Sequence, residues 1–308
     1  MEKSMMIGIL MGCGILIGIG LCIGHFAIKN IFYAPRKTEE EAFLEIEKRY
    51  AYKPIQYQKL CKKNLRLINS EGHVLNGEYI IFHPGAKKIV ILIHGYTGNH
   101  LMSLPIAQIY AEQGFNVLAI DARGHGQSEG LYPTYGLCEQ EDVRLWVQKL
   151  RALEGVNVTV GLHGQSMGAA TALMYAGKYN DIAFVVADCP YATARDVLQY
   201  QFKTFGHLPP VLTYHCINYW ISKQFKIRIE DASPLEAICH YNGPIAFIHG
   251  KNDKTIPSSM SETLFKSRKN PQDRLLLVEG ADHVTAYAHA SDAYKKVVQE
   301  ILEESNSF

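Results

Sequence analysis

A serine flanked by glycines is the first feature of this sequence that could do chemistry. Ser166 stands in Gly-Gln-Ser-Met-Gly, residues 164–168, between an apolar run at 158–162 and small, helix-forming residues at 169–173. This order predicts a strand, a sharp turn and a helix, with the serine at the tip of the turn. Glycines fit on either side because such a turn is crowded. An ordinary glycine-rich turn with an exposed serine is the alternative.

A serine hydroxyl is a weak nucleophile unless a histidine base and an acid activate it. Asp253 and His283 each follow a short apolar run near the end of the chain. Among thirteen histidines, only His283 combines a position after the last apolar run with a glycine-containing approach. We therefore predict Ser166, His283 and Asp253 as nucleophile, base and acid. Asp188 is the rival acid, whereas Asp282 points elsewhere if the neighbouring histidine faces the serine.

The oxyanion that forms during attack needs hydrogen-bond donors. The segment His-Gly-Tyr-Thr-Gly-Asn at 94–99 follows an apolar run and can turn a backbone N–H toward the serine. We predict that the N–H groups of Tyr96 and Met167 form the oxyanion hole. A tight turn without a ligand is the alternative. The segment at 121–128, rich in glycine and charge, is predicted to buttress the site without a catalytic role.

Short apolar runs alternate with helical stretches along the chain, and together they predict the elements that position these residues. Runs of this kind are typical of strands buried on both faces, and the alternation predicts an α/β fold with a doubly wound, mostly parallel sheet. Residues 65–68 and 74–82 predict an antiparallel hairpin before it. Ligands bind beyond the carboxyl ends of such strands. The predicted parallel strands are 89–93, 117–120, 158–162, 184–187, 245–248 and 275–278.

Length and composition exclude some classes of protein. The chain has 308 residues, enough for one large α/β domain and an appendage, and its formal charge is +1. Near-neutral charge argues against nucleic acid as a partner, because phosphate binding requires clustered lysine and arginine. Seven cysteines form no Cys-x-x-Cys pair, so no disulfide or zinc framework is predicted and a reducing compartment is favoured.

The appendage is an uncharged segment at residues 5–28. About 20 apolar residues suffice to cross a bilayer, so the segment predicts a single membrane-spanning helix and a membrane location. A cleaved signal peptide is the rival interpretation. The lysines on both sides leave the orientation open, although the positive-inside rule alone places the large domain in the cytoplasm. Glycines four residues apart would let two such helices form a homodimer, though glycine is common in membrane helices.

Taken together, the motifs resemble the α/β-hydrolase superfamily, and more narrowly its membrane-anchored, serine aminopeptidase-like branch of bacterial hydrolases. The motifs lie at 94–98, 121–128, 164–168, 250–253 and 282–283. The resemblance extends from about residue 65 to the last helix. It implies that Ser166 attacks an acyl carbon, that His283 transfers the proton and that Asp253 fixes the imidazole. No metal ion and no cofactor is required.

The resemblance does not select a substrate, because this branch covers esterases, lipases, thioesterases and peptidases. We expect a serine esterase acting on a small or lipid-like acyl substrate. A peptidase or aminopeptidase and an acyltransferase are the alternatives among enzymes. A hydrolase fold that has lost catalysis and serves as a membrane-tethered binding protein is the alternative outside enzymes.

The expected domains are a membrane anchor at 1–37, a linker helix at 38–62 that serves as a spacer, and a hydrolase domain at 63–308. Hydrolases of this fold commonly insert a cap, here expected at about 191–233. The segment 191–229 contains eight aromatic residues and five basic ones. It predicts either a lid that receives an acyl chain or a helix pair whose aromatic side chains pack on the sheet.

Overall fold

The structure is a computed structural model that describes residues 2–33, 35–207 and 209–305. Across these ranges the chain divides into two compact units. The smaller contains Met1–Ala34 and Ala194–Asp231, and the larger contains Pro35–Thr193 and Ala232–Phe308. The sheet and every predicted site residue belong to the larger unit. The domain boundaries predicted from the sequence stay a prediction.

The larger unit is built on a mostly parallel sheet, as predicted. Among the described residues its eight strands are β1 Lys62–Ile68, β2 Val74–Ile80, β3 Lys88–Ile93, β4 Asn116–Ile120, β5 Thr159–Gln165, β6 Val185–Asp188, β7 Ile245–Gly250 and β8 Arg274–Val278. Their order in the sheet is β1-β2-β4-β3-β5-β6-β7-β8. β1 pairs antiparallel with β2 and β2 with β4, so the predicted hairpin is confirmed; the other pairs are parallel.

Helices accompany the sheet because its central strands are apolar on both faces and every residue of β4 and β7 is buried. The helix at Glu139–Glu154 shows the matching pattern, since Val143, Trp146, Val147 and Leu150 are buried along one side. The helices of the larger unit are α2 Glu39–Tyr50, α3 Pro54–Gln58, α4 Leu104–Ala111, α5 Glu139–Glu154, α6 Met167–Tyr179, α9 Pro234–Ala237, α10 Ser259–Ser267, α11 Ala286–His289 and α12 Ser291–Ser305.

Helix α2 lies in the segment predicted as a spacer. Thr38 and Glu41 form a capping box that fixes its start. Ala42 and Ile46, one turn apart, are fully buried, and Ala42 belongs to the apolar core of the larger unit. The predicted amphipathic helix is therefore confirmed, but its role as a spacer is wrong, because its apolar face is part of the core.

The smaller unit consists of α1 Glu2–Phe32, α7 Ala194–Thr204 and α8 Pro210–Phe225. α1 packs on α8: the Trp220 indole N–H donates to the Leu21 carbonyl oxygen at 2.8 Å, and the rings of Phe32 and Phe225 lie 4.6 Å apart. A Cβ atom on Gly24 would lie 3.0 Å from the backbone oxygen of Cys216. Glycine thus permits close approach between these two helices.

Two predictions about the segment that forms α1, the membrane span and the homodimer, are affected by the structure. Among the described residues no helix combines the length and the apolar content that crossing a membrane requires, so the predicted membrane span at 5–28 is not supported. One of the glycine pairs that suggested a homodimer has a partner within the chain, because Gly20 and Gly24 both face Cys216 of α8, whereas Gly8, Gly14 and Gly18 have open space around them. No observation supports the homodimer, and the membrane location stays a prediction.

Candidate active site

Ser166 lies at the junction of β5 and α6 in a conformation that few residues adopt. Its φ is +56° and its ψ is −119°. For a non-glycine residue this is a strained backbone, as the sharp turn requires. A Cβ on Gly164 would overlap the backbone of Gly168, and a Cβ on Gly168 would overlap the carbonyl oxygen of Ile93. The predicted strand, turn and helix, and the crowding at both glycines, are thus confirmed.

The structure brings the three predicted side chains into one chain of hydrogen bonds. The Ser166 hydroxyl lies 2.9 Å from Nε2 of His283, and Nδ1 of His283 lies 2.6 Å from Oδ2 of Asp253. With its proton on Nδ1, the imidazole donates to the carboxylate and accepts from the serine. This arrangement can draw the proton from the serine hydroxyl during nucleophilic attack. The catalytic roles themselves stay a prediction.

Asp253 is held as a carboxylate. Burial raises its pKa, but hydrogen bonds from His249 and His283 outweigh burial and hold the pKa well below its usual range. The other carboxylate oxygen accepts backbone N–H bonds from Thr255 at 2.8 Å and Ile256 at 2.9 Å. A fixed, ionised carboxylate keeps the proton of His283 on Nδ1 and leaves Nε2 to accept from Ser166.

Neither rival acid occupies this place. Asp188 is buried at the end of β6, where it accepts a hydrogen bond from the Tyr294 hydroxyl at 3.0 Å. Burial raises the pKa of Asp188, which makes it a poorer anion. Asp282 is exposed. Of the three candidate acids, Asp253 is therefore the one whose carboxylate contacts His283.

The two residues predicted to hold the oxyanion flank the serine. Met167 is the first residue of α6, and an N–H in the first turn of a helix has no partner within that helix. Gly95 passes so close to the site that a Cβ on it would lie 3.1 Å from Cβ of Ser166. Tyr96 follows directly and lines the same cavity as Ser166. The placement of Tyr96 and Met167 is compatible with an oxyanion hole, which stays a prediction.

The segment at 121–128 buttresses the turn that carries Tyr96, as predicted. Buried imidazoles connect the two: Ala122 N–H donates to Nε2 of His94 at 3.0 Å, and Thr97 N–H donates to Nε2 of His125 at 3.1 Å. Burial lowers the pKa of both histidines, to about 3 for His125, so each stays neutral and accepts. Arg123 anchors the segment through a buried ion pair to Asp142 at 2.7 Å.

A cavity of about 110 Å³ opens beside Ser166 and His283. One wall comes from the middle and end of α2 and from a residue before the helix, which the sequence did not assign to the site. These wall residues are Lys37, Glu45, Arg49 and Tyr50. The sequence pattern predicts the helix α2, but a helical period does not determine which part of the protein the helix contacts.

Helix α2 also contacts the residue after the histidine. The Tyr50 hydroxyl and an Arg49 N–H donate to the carbonyl oxygen of Val284, at 2.8 and 3.2 Å. Val284 has φ +56°, a conformation that β-branched residues rarely adopt. Burial raises the pKa of Tyr50, with Asp188 adding to the effect, so the hydroxyl keeps the proton it donates. These two bonds hold the loop that presents His283.

One group of side chains among the described residues has donor atoms close enough to share a metal ion. Its members are Cys189, Asp253 and His283, whose atoms lie within 4.8 Å of one another. Burial raises the pKa of the Cys189 thiol strongly, which disfavours the thiolate that binds metals. The other two members are already bonded to each other. The group therefore suits acid–base chemistry better, and the absence of a metal or cofactor stays a prediction.

Known proteins with similar sequences and structures agree with this fold. The sequence model of the family described as "Serine aminopeptidase, S33" matches residues 84–238. YqkD, an uncharacterized protein of Bacillus subtilis, is 31% identical over 301 residues, which cover 97% of this chain and 98% of that protein. The solved structure of the Pyrococcus furiosus esterase Pf2001 matches with a TM-score of 0.65 at 26% identity, covering 82% of this chain and 95% of that chain.

A shorter match concerns a probable lysophospholipase L2 of Haemophilus influenzae. It is 30% identical over 132 residues, which cover 41% of this chain and 39% of that protein. The family match, the full-length relative and the similar structure together confirm the resemblance to α/β hydrolases that the motifs predicted.

Proposed function

Because the chain belongs to the serine aminopeptidase S33 family of α/β hydrolases, we propose that it is a carboxylic ester hydrolase working through an acyl-enzyme on Ser166. That the chain is a hydrolase follows from the family; the bond it cleaves is the proposal. The observation that carries the proposal is a series of hydrogen bonds. It runs from Ser166, at the tip of a strained turn, through His283 to Asp253.

The chemistry runs in two halves. His283 takes the proton from the Ser166 hydroxyl as the serine oxygen attacks the acyl carbon, and the N–H groups of Tyr96 and Met167 stabilise the resulting oxyanion. His283 then donates that proton to the departing alcohol, which leaves the acyl group on the serine. A water molecule, deprotonated by the same imidazole, hydrolyses the acyl-enzyme and restores the serine hydroxyl.

An ester is favoured over a peptide by two observations. The similar structure from Pyrococcus furiosus is that of an esterase, and the shorter sequence match is to a probable lysophospholipase. An aminopeptidase would need a carboxylate to hold the free amine of its substrate. Glu45 is the carboxylate in the wall of the cavity, and it is already paired with Lys37 and Arg49. The family description keeps the peptidase as a second candidate.

A fluorophosphonate probe tests the proposal, because it labels only an activated serine. We expect the full-length chain to be labelled at Ser166 and to hydrolyse 4-nitrophenyl butyrate. Ser166→Ala and His283→Ala should each lower kcat by roughly 10⁴-fold or more and should retain the thermal midpoint of a folded protein. Ser267→Ala on α10 and His289→Ala, an exposed histidine, are the matched controls.

Two results would contradict the proposal. Labelling that persists in Ser166→Ala would mean that another nucleophile reacts. A folded, unlabelled and inactive wild-type chain would favour the binding-protein alternative, and faster cleavage of aminoacyl arylamides than of esters would favour the peptidase.

A further inference from the structure

Two basic side chains lie in the wall of the Ser166 cavity, and neither takes part in the bond-making steps described above. Lys37 precedes α2 and Arg49 lies near its end, and both line the cavity together with Ser166 and His283. Their side chains are 32% and 26% exposed, so a substrate can reach them while part of their hydration is already lost. Charges in such partly buried positions interact more strongly than charges on an open surface.

A single carboxylate in this wall lies between the two cations. Oε2 of Glu45 is 3.3 Å from the Lys37 amine, and its Oε1 is 2.6 Å from the Arg49 guanidinium. One negative charge shared by two positive ones leaves an excess of positive charge. A guanidinium has five N–H donors in a planar fork that matches carboxylate and phosphate oxygens, so Arg49 can bind a further anion.

The same charge excess continues outside the cavity. A second, larger cavity of about 490 Å³ shares Lys37 and Glu45 with the first, so the two adjoin at this pair. Together, the linings of the two cavities contain four basic side chains, Arg36, Lys37, Lys48 and Arg49, and two acidic ones, Glu41 and Glu45. Positive charge concentrated in a cleft attracts anionic substrates and raises their local concentration.

We propose that Lys37 and Arg49 form a subsite for a negatively charged group of the substrate. The preferred substrate is then an acyl ester that carries a carboxylate or phosphate close to the scissile bond. This inference rests on the proposed ester hydrolysis and specifies its substrate class. Glu45 sets the strength of the subsite, because it competes with the substrate anion for the same two cations.

Two pairs of esters test the preference, and the first pair is matched in size. The first pair places a carboxylate in the acyl part: the mono-4-nitrophenyl ester of succinic acid against 4-nitrophenyl 4-methylpentanoate. The second places a phosphate in the alcohol part: 1-butyrylglycerol 3-phosphate against 1-butyrylglycerol. The readout is the ratio of kcat/KM for the anionic ester to kcat/KM for its neutral partner, and the pair with the larger ratio tells which part of the ester carries the charge.

Variants should move this ratio in opposite directions. Lys37→Gln and Arg49→Gln should lower it by roughly 3- to 30-fold, the range expected for partly exposed charge-assisted contacts. Glu45→Gln should raise it, because it removes the competing carboxylate. Lys63→Gln, an exposed lysine of β1, removes the same charge and should leave the ratio unchanged. A general loss of activity, as from a displaced His283 loop, lowers both rates and leaves the ratio unaffected.

Salt provides a test on the wild-type chain alone. Raising the ionic strength from about 0.02 to about 0.5 M should lower the ratio, because exposed charges are screened. The subsite is refuted if neutral esters are hydrolysed while neither ratio responds to salt or to Lys37→Gln. It is also refuted if Glu45→Gln lowers the ratio. If no ester is hydrolysed and Ser166 is not labelled, the proposed function fails and the subsite fails with it.

Discussion

The hydroxyl of Tyr50 donates a hydrogen bond to the carbonyl oxygen of Val284 at 2.8 Å, across 234 residues of sequence. The bond connects helix α2 to the residue that follows His283, whose Nε2 lies 2.9 Å from the Ser166 hydroxyl. Helix α2, which precedes the sheet in the sequence, therefore helps to place the His283 imidazole, which is predicted to be catalytic.

Removing this bond should lower kcat with little change in KM. Tyr50→Phe deletes the hydroxyl and keeps the ring, and Val284 has a strained φ of +56° that the bond helps to maintain. A hydrogen bond of this kind contributes about 0.5–1.5 kcal/mol, so we expect kcat to fall by roughly 2- to 10-fold. Steady-state kinetics on a 4-nitrophenyl ester measures the change. Tyr52→Phe is the control, and an unchanged kcat in Tyr50→Phe would contradict the role.

Asp253 should stabilise the fold in a pH-dependent way. Its pKa in the folded chain lies below the usual value of about 3.9, so its stabilisation is fully present above that pH and is lost as the pH falls toward the folded value. The difference in unfolding free energy between wild type and Asp253→Asn should therefore shrink from pH 7 to pH 3. Urea unfolding at a series of pH values measures it. A difference that grows on acidification would contradict the assignment.

Gly164→Ala should prevent the turn at Ser166 from forming. The added methyl group would overlap the backbone of Gly168, which has no flexible end that can move aside. We expect a loss of about 3 kcal/mol or more in unfolding free energy, or no folded protein. Gly72→Ala is the control: its φ of +84° is strained for alanine but its surroundings are open, so it should cost about 1–2 kcal/mol. Equal losses in the two variants would argue against crowding at the turn.

Of the two predictions for the segment at 191–229, the lid that receives an acyl chain entails a preference for medium-length acyl chains. A buried methylene contributes at most about 0.8 kcal/mol, which raises kcat/KM about fourfold per carbon until the pocket is filled. A series of 4-nitrophenyl esters from acetate to decanoate measures the profile. A flat wild-type profile would refute an acyl pocket.

Much of the fold and of the candidate site follows from local patterns in the sequence. Apolar runs of four or five residues between turn residues predicted the parallel strands, because a strand buried on both faces has no polar alternation. The flanking glycines identify Ser166, and the positions of Asp253 and His283 directly after strands identify these two residues. Parallel strands end at one edge of a sheet, so order along the chain was enough to predict that the three residues meet.

Other features depended on contacts between distant parts of the chain. Helix α2 has an amphipathic sequence, but its Arg49 and Tyr50 contact Val284 more than 230 residues away, and helical periodicity does not encode a partner at that distance. Likewise, an apolar segment at 5–28 with regular glycines suits a bilayer, a second copy or another helix of the same chain equally well. Only the tertiary structure decided that Gly20 and Gly24 face α8, because apolar surface and small residues specify close packing without specifying what is packed.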